Sequence, residues 1–315
     1  MNRILCLFMV PASVALLVSC AQPKADVVKD NIVAGIGTDS VQVAQAADAP
    51  LLLPVADGEY KKKDKYCDFS VEAEWPSGSD AVSSAIRKDL LAVMDKALAY
   101  SGGKRTVQAY KGETASLEKA VKHYGAGAYS LLLADSKENH KMRVETGQEV
   151  AAENGETFKE PDVMPLAIDF EIDKEDETAL WCVFEVQYYS FTGGAHGLGY
   201  SSSFTYDKAT GKRFTAFLKP GAAKSMQPLL RKGLKQYFSE KGEKVSDGEL
   251  MSYLQIEGNE IPLPAAAPYP TSKGLEFHYG SYEIAPYAAG QPEFTIPFDR
   301  VKPYLTAEAV ALLGL

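Results

Sequence analysis

The sequence predicts an α+β fold, with largely antiparallel sheets, helices packed on one face, and two intimately packed halves. Three observations carry that prediction. Alternating runs such as PLAIDFEID put Leu166, Ile168, Phe170 and Ile172 on one face and Ala167, Asp169, Glu171 and Asp173 on the other, as in a sheet with one wet face. Runs such as SDAVSSAIRKDLLAVMDKALAY carry apolar residues at helical spacing. Strands and helices are partly segregated along the chain, and several strand pairs have short connections, which favours α+β over a doubly wound parallel sheet.

The elements follow in chain order. Residues 1–19 read as an export signal: Arg3 opens the chain, and the apolar stretch of about 16 residues behind it is too short for a spanning helix. The signal ends in Leu-Val-Ser-Cys, which resembles the lipobox of bacterial lipoproteins. That resemblance implies cleavage before Cys20 and acyl chains such as palmitate on that residue. The chain is then exported and lipid-anchored to a bacterial membrane, the outer membrane or the cell surface. Each buried acyl methylene contributes about 0.8 kcal/mol, so two or three chains hold a domain on a membrane without a protein span. Residues 20–65 are small, polar and Ala-rich with no sustained period, and read as a flexible tether.

The folded part is expected from Tyr66, as an upstream α+β domain over 66–191 and a C-terminal α+β domain over 192–315. CDFSVEAEW alternates, with Cys67, Phe69, Val71, Ala73 and Trp75 on the apolar face. A first helix follows, with Ser79 or Asp80 as its cap and Val82, Ile86, Leu90, Val93 and Ala97 on its stripe. A second runs through Leu117, Val121 and Tyr124 and is weakened by Gly125 and Gly127. PLAIDFEID and ALWCVFEVQYY are strands, and the DKEDET between them reads as a solvated turn. AAKSMQPLLRKGLKQYF is a third helix, with Met226, Leu230, Leu234 and Tyr237 on one side and Pro228 near its first turn. SDGE opens a short fourth with a Ser246–Glu249 capping box. Strands return in LEFHYGSYEIAPY and EFTIPF, and a last helix spans 306–313.

Charge and cysteine usage narrow the function classes. The chain has 33 basic and 42 acidic residues, and losing Arg3 with the signal leaves 33 − 1 = 32 basic ones. There is no basic patch, so nucleic acid is not expected as a partner, while a cationic partner is permitted. Once Cys6 is removed and Cys20 acylated, Cys67 and Cys182 remain, each on the apolar face of a strand. The pair suits either a bridge between strands or two inert buried thiols.

The most distinctive stretch is YYSFTGGAHGLGYSSSF, residues 188–204, where a knot of glycines surrounds His196. Gly193 and Gly194 allow positive φ, so the chain can turn there without a Cβ clash. His196 can satisfy turn carbonyls and fix the hairpin, belong to a binding surface with Tyr188, Tyr189, Phe191 and Tyr200, or act as an acid or base. Little supports catalysis. His123, His140 and His278 stand alone, no zinc-ligand spacing appears, Ser201 to Ser203 lack the nucleophile-elbow context, and no phosphate-binding glycine motif occurs. No metal or cofactor is therefore expected, and binding is favoured over enzymatic activity.

Two motifs carry a family resemblance. One is the Tyr-x-x-Thr-Gly-Gly-Ala-His-Gly turn of Tyr189, Thr192, Gly193, Gly194, His196 and Gly197; the other is the Tyr-Glu-Ile-Ala-Pro-Tyr-Ala-x-Gly segment from Tyr282 through Tyr287 to Gly290. Together they resemble the RsiV-like extracytoplasmic domain (DUF3298), and the chain before them resembles the DUF4163-type domain usually found upstream. The resemblance implies a cell-envelope recognition role, with a lysozyme-like protein or an envelope glycan such as peptidoglycan as partner. Relatives of that kind signal across a membrane or deacetylate peptidoglycan; this chain shows neither the spanning segment nor the metal-ligand motifs, so those activities are not expected. A glycan hydrolase using His196, or a purely structural His196, are the alternatives.

Overall fold

The computed structural model describes residues 52–101, 103–240 and 245–315. The signal segment, Cys20 and the tether as far as residue 51 lie outside them. The first unit contains β1 (Val55–Lys63), β2 (Cys67–Pro76), α1 (Ala81–Leu98), the two-residue strands β3 (Tyr100–Ser101) and β4 (Lys104–Arg105), α2 (Glu118–Asn154), β5 (Leu166–Glu177), β6 (Trp181–Phe191), β7 (Leu198–Asp207) and β8 (Lys212–Phe214). A six-stranded sheet has the order β1-β2-β5-β6-β7-β8, and only β2 and β5 run parallel in it. The second unit contains α3 (Ala222–Glu240), α4 (Asp247–Tyr253), β9 (Tyr269–Thr271), β10 (Gly274–His278), β11 (Glu293–Ile296), α5 (Phe298–Val301) and α6 (Ala307–Leu313). Its three strands form an antiparallel sheet in the order β11-β10-β9. The architecture is α+β with mostly antiparallel sheets, as the alternation predicts.

The inner face of the large sheet is built from the predicted apolar positions. Cys67, Phe69, Val71, Ala73, Trp75, Leu166, Phe170, Ile172, Phe184 and Val186 are all buried there against α1 and α2. The Asp80 carboxylate caps α1 by accepting the Ser83 N–H at 2.9 Å. The stripe of α1 is rotated slightly from the expected one: Ile86, Leu90, Met94 and Leu98 are buried, while Val93 and Ala97 are half-buried. The second helix is not weakened by its glycines but runs unbroken to Asn154. A Cβ on Gly125 would stand 2.6 Å from the Tyr60 ring, and one on Gly127 2.6 Å from the Val107 side chain. The glycines let β1 and the segment before α2 lie directly on the helix, and that packing outweighs about 1 kcal/mol of helix propensity at each.

Four expectations need correction. The tether does not extend to residue 65, because β1 pairs antiparallel with β2 along its whole length. Its sequence, VADGEYKKK, has too few apolar residues to show a period, and its lysines suit an edge strand. DKEDET is not a solvated turn but the end of β5, which passes a register shift between Lys174 and Asp176. Glu177 there is 5% exposed, and its carboxylate holds Lys174, Lys208 and the Leu53 N–H. Cys67 and Cys182 cannot form the bridge. The register sets Cys67 beside Leu166 and Cys182 beside Glu177, at opposite ends of β5, roughly 30 Å apart at strand rise. Both are buried free thiols with pKa pushed up by burial, to about 11 and about 12. The segment YEIAPY does not continue β10; it folds as a turn followed by a short 3-10 turn at Tyr287–Ala289.

The expected boundary at residues 191 and 192 falls in the connection of the β6–β7 hairpin, and both strands stay in the large sheet. The second hydrophobic core starts at Phe217 and gathers Met226, Leu230 and Leu234 of α3 with Leu275, Phe277 and Phe294 of the small sheet. Pro228 sits in the second turn of α3, and the predicted capping box of α4 is present in full. The second unit lies against the outer face of the large sheet. Strand β9 meets β7 there, the Ser272 N–H donates to Asp176 Oδ2 at 2.9 Å, and the outward-facing Trp181, Val183 and Thr205 are buried. Among the described residues no helix is long and apolar enough to cross a membrane.

Candidate functional site

The glycine knot and the late tyrosine motif, about ninety positions apart in sequence, meet in space. Gly193 and Gly194 adopt φ of 98° and 105°, left-handed values that turn the chain out of β6 and present His196 to solvent. The His196 ring stacks on Tyr287 with centroids 4.2 Å apart and planes 16° from parallel. Tyr287 in turn stacks on Tyr282 at 5.6 Å and 29°. The Tyr287 hydroxyl donates to the Gly197 carbonyl at 2.9 Å, and Ser281 Oγ and Gln291 Nε2 both donate to the Gly199 carbonyl, at 3.1 and 3.2 Å. These bonds satisfy strand-end carbonyls of β7 and hold the second unit's loop against the hairpin of the first. Tyr282 is half exposed, at 52%, and its φ of 64° is the only left-handed value of a non-glycine among the described residues.

The arrangement stacks three rings. His196 Nδ1–H donates to the Gly197 carbonyl at 2.9 Å. No described group of His, Cys, Asp and Glu has the geometry to hold a metal ion. The other histidines are tied up structurally: His123 to the Gln108 carbonyl at 2.7 Å, His140 to Glu160 at 3.3 Å and His278 to Gln291 Oε1 at 3.0 Å.

The remaining expected residues divide among three neighbouring places. Tyr189 joins the stack's side of the sheet, lying so close over Gly197 that any side chain there would strike its ring. Tyr188 and Tyr200, expected beside it, stack on each other at 5.2 Å on the opposite face, because successive residues of a strand alternate sides. Thr192, Gly193 and Gly194 turn away from the rings and line an open trough of about 810 Å³ with Met142 and Val150 of α2 and with Met164. That trough was invisible in the sequence, since the second helix was not expected to run so far.

A second feature also required the register. On the outer face, β2, β5 and β6 set Glu72 directly beside Glu171, and Asp173 directly beside Glu185. Among the described residues no Lys, Arg or His nitrogen comes within salt-bridge distance of Asp169, Glu171, Asp173, Glu175 or Glu185. Burial, then the neighbouring carboxylates, push Glu171 up to about 7 and raise Asp173 and Glu175 above the usual carboxylate range. The sequence signal was present in the alternating acids of PLAIDFEID, but which strand would lie alongside was not.

The comparisons with known proteins agree with this architecture. A DUF3298 domain, described as "Protein of unknown function (DUF3298)", matches residues 215–299, the greater part of the second core. No curated protein matches the chain in sequence. A crystal structure of a DUF3298 family member from Bacteroides fragilis NCTC 9343 superposes with a TM-score of 0.61 at 16% identity, covering 84% of this chain and 98% of that one. A DUF3298 family protein from Pseudomonas aeruginosa PAO1 does so with a TM-score of 0.50 at 15% identity, covering 82% and 97%. At such identities the likeness is one of fold, and it extends over both units.

Proposed function

We propose that this chain is a lipid-anchored binding module of the bacterial cell envelope, which engages an envelope glycan or a lysozyme-like protein through the His196–Tyr287–Tyr282 surface. The observation that carries the reading is the continuous stack itself: two glycine-framed motifs from different units converge so that the half-buried Tyr287 supports two exposed rings, His196 and Tyr282. Exposed, rigid aromatic rings supply contact area at low conformational cost, and they suit stacking on sugar rings or anchoring a protein hot spot. The lipobox-like end of the signal, and the RsiV-like and DUF4163-type resemblances, support the envelope address and the recognition role.

The test is a pulldown at low salt with lysozyme and with peptidoglycan fragments, comparing the native chain with Tyr282→Ala and Tyr287→Ala. Retention of one ligand by the native chain, lost in both variants, is the expected result. Binding to neither ligand, or binding that survives both substitutions, removes the reading.

A further inference from the structure

The second unit gathers cations where α3 crosses the edge of the small sheet. Leu229, Lys232, Gly233 and Gln236 follow one another at i, i+3, i+4 and i+7, so they share one face of α3. That face packs on β11: a Cβ on Gly233 would stand 2.1 Å from the Phe294 ring, so helix and strand are in direct contact there. β11 is an edge strand of its sheet. The Tyr279 N–H donates to the Pro292 carbonyl at 2.8 Å, and the alternation of an antiparallel ladder from that bond turns the Thr295 N–H and C=O away from β10, onto the open edge. Between α3 and this edge lies a cavity of about 440 Å³, lined by Lys232 of α3, Lys273 of the β9–β10 turn, Arg300 of α5 and Thr295. A second cavity of about 440 Å³ shares Lys232 with it and adds Arg231 and Lys235. No Asp or Glu lines either one, in a chain with 42 acidic and 33 basic residues.

We infer that the Lys232–Lys273–Arg300 cavity is an anion site that takes a phosphate group, carried by a free phosphate ester or by a lipid headgroup. Three cations from three elements converge there without a counter-ion. Among the described residues no carboxylate stands within salt-bridge distance of any of them. Glu276 acts on Lys273 from farther off and takes the Thr295 hydroxyl instead. Arg300 is the sharper observation. Each of the other five described arginines donates to a carbonyl or a carboxylate, whereas the Arg300 guanidinium has no partner among the described residues. A concave wall of one sign concentrates the field that draws in the opposite charge. Phosphate suits this wall: it carries up to two negative charges, and its tetrahedral oxygens meet donors from several directions, the guanidinium fork, two ammonium groups and the Thr295 N–H. A carboxylate offers one charge and two coplanar oxygens. The volume is that of a small-ligand site.

The site shares no residue with the His196–Tyr287–Tyr282 surface, so it goes beyond the proposed function and fails separately from it. The full chain is titrated by calorimetry at constant ionic strength with inorganic phosphate and with glucose 6-phosphate, and is sedimented with phosphatidylcholine vesicles made with and without phosphatidylglycerol. Saturable binding of a soluble probe, or retention that requires the anionic lipid, is the expected result; the first assigns a free ester and the second a headgroup. Lys232→Gln together with Arg300→Gln should weaken that binding by about tenfold or more, as the loss of a hydrogen bond to a charged group does. Both side chains are exposed, so the melting temperature should stay where it is. Lys88→Gln together with Lys104→Gln, exposed positions of the first unit with the same change of charge, should leave binding intact. Binding to neither the soluble probes nor the anionic vesicles, or an equal loss in the second pair of substitutions, overturns the site.

Discussion

Tyr282 combines a strained backbone with an exposed ring, and under the proposed function it serves display and not folding. A side chain at φ 64° costs of order 1 kcal/mol in backbone strain, and this one is half exposed. Its turn is held from both sides by Glu283, whose carboxylate accepts the Gly280 N–H at 2.7 Å and the Ala265 N–H at 2.6 Å. Tyr282→Gly should therefore leave the melting temperature unchanged or raise it, by about 1 kcal/mol at most in stability, while abolishing ligand retention. A variant that unfolds more easily would show that the ring packs instead of presenting itself. Glu177 has the opposite character. It is a buried anion with two lysine partners, and Glu177→Gln removes the negative charge that both are paired with, so a loss of about 3 kcal/mol is expected in denaturant titrations. Its pKa is held below the usual carboxylate range by the side chains of Lys174 and Lys208, so its contribution is present above about pH 4.5 and is lost as pH falls through its folded value. The native chain should lose stability on acidification below that point, and the variant should lose less.

At the scale of elements, the informative cases are those where packing reversed a local preference. Gly125 and Gly127 argue for a weak helix when read alone, yet they lie where β1 and Val107 press on α2. Gly125→Ala gains about 1 kcal/mol of helix propensity but drives a methyl into the Tyr60 ring, and overpacking of that kind costs about 1 to 3 kcal/mol. A net destabilisation in urea is the expected outcome; stabilisation would mean that Tyr60 swings away freely. Arg87 belongs to the same class. It is 3% exposed on the buried face of α1, where it donates to the carbonyls of Pro76, Gly78 and Thr114 and so ties the end of β2 to the loop before α2. Its one-dimensional context shows only a charge next to Ile86, because the carbonyls it serves come from two other segments. β1 was missed for a related reason: an edge strand with lysines along it needs a partner strand, not a hydrophobic period, to be recognised.

For the whole molecule, two cores on one continuous chain meet across the outer face of the large sheet, and the described cysteines form no disulfide between them. Because the two thiols stand at opposite ends of β5, a reductant should leave the melting temperature of the folded chain unchanged, and thiol reagents should titrate Cys67 and Cys182 only after denaturation. A fall in melting temperature on reduction would contradict the strand register. The likeness to two DUF3298 structures across both units means that the pairing of cores is part of the fold. The His196–Tyr287 stack is assembled from both units, so it depends on that pairing.

The amino-acid sequence by itself determined the α+β class, the inward residues of the strands, the caps of α1 and α4, and the two motifs that would carry recognition. Each of these depends on periodicity or on groups within a few positions of one another, and such interactions are written locally in the chain. Only the tertiary structure decided that the two motifs stack, that Tyr188 and Tyr189 part company, that the cysteines stand apart and that acids line up across β2, β5 and β6. Those are matters of register and of which surfaces are pressed together, and they follow from the packing of segments far apart in sequence.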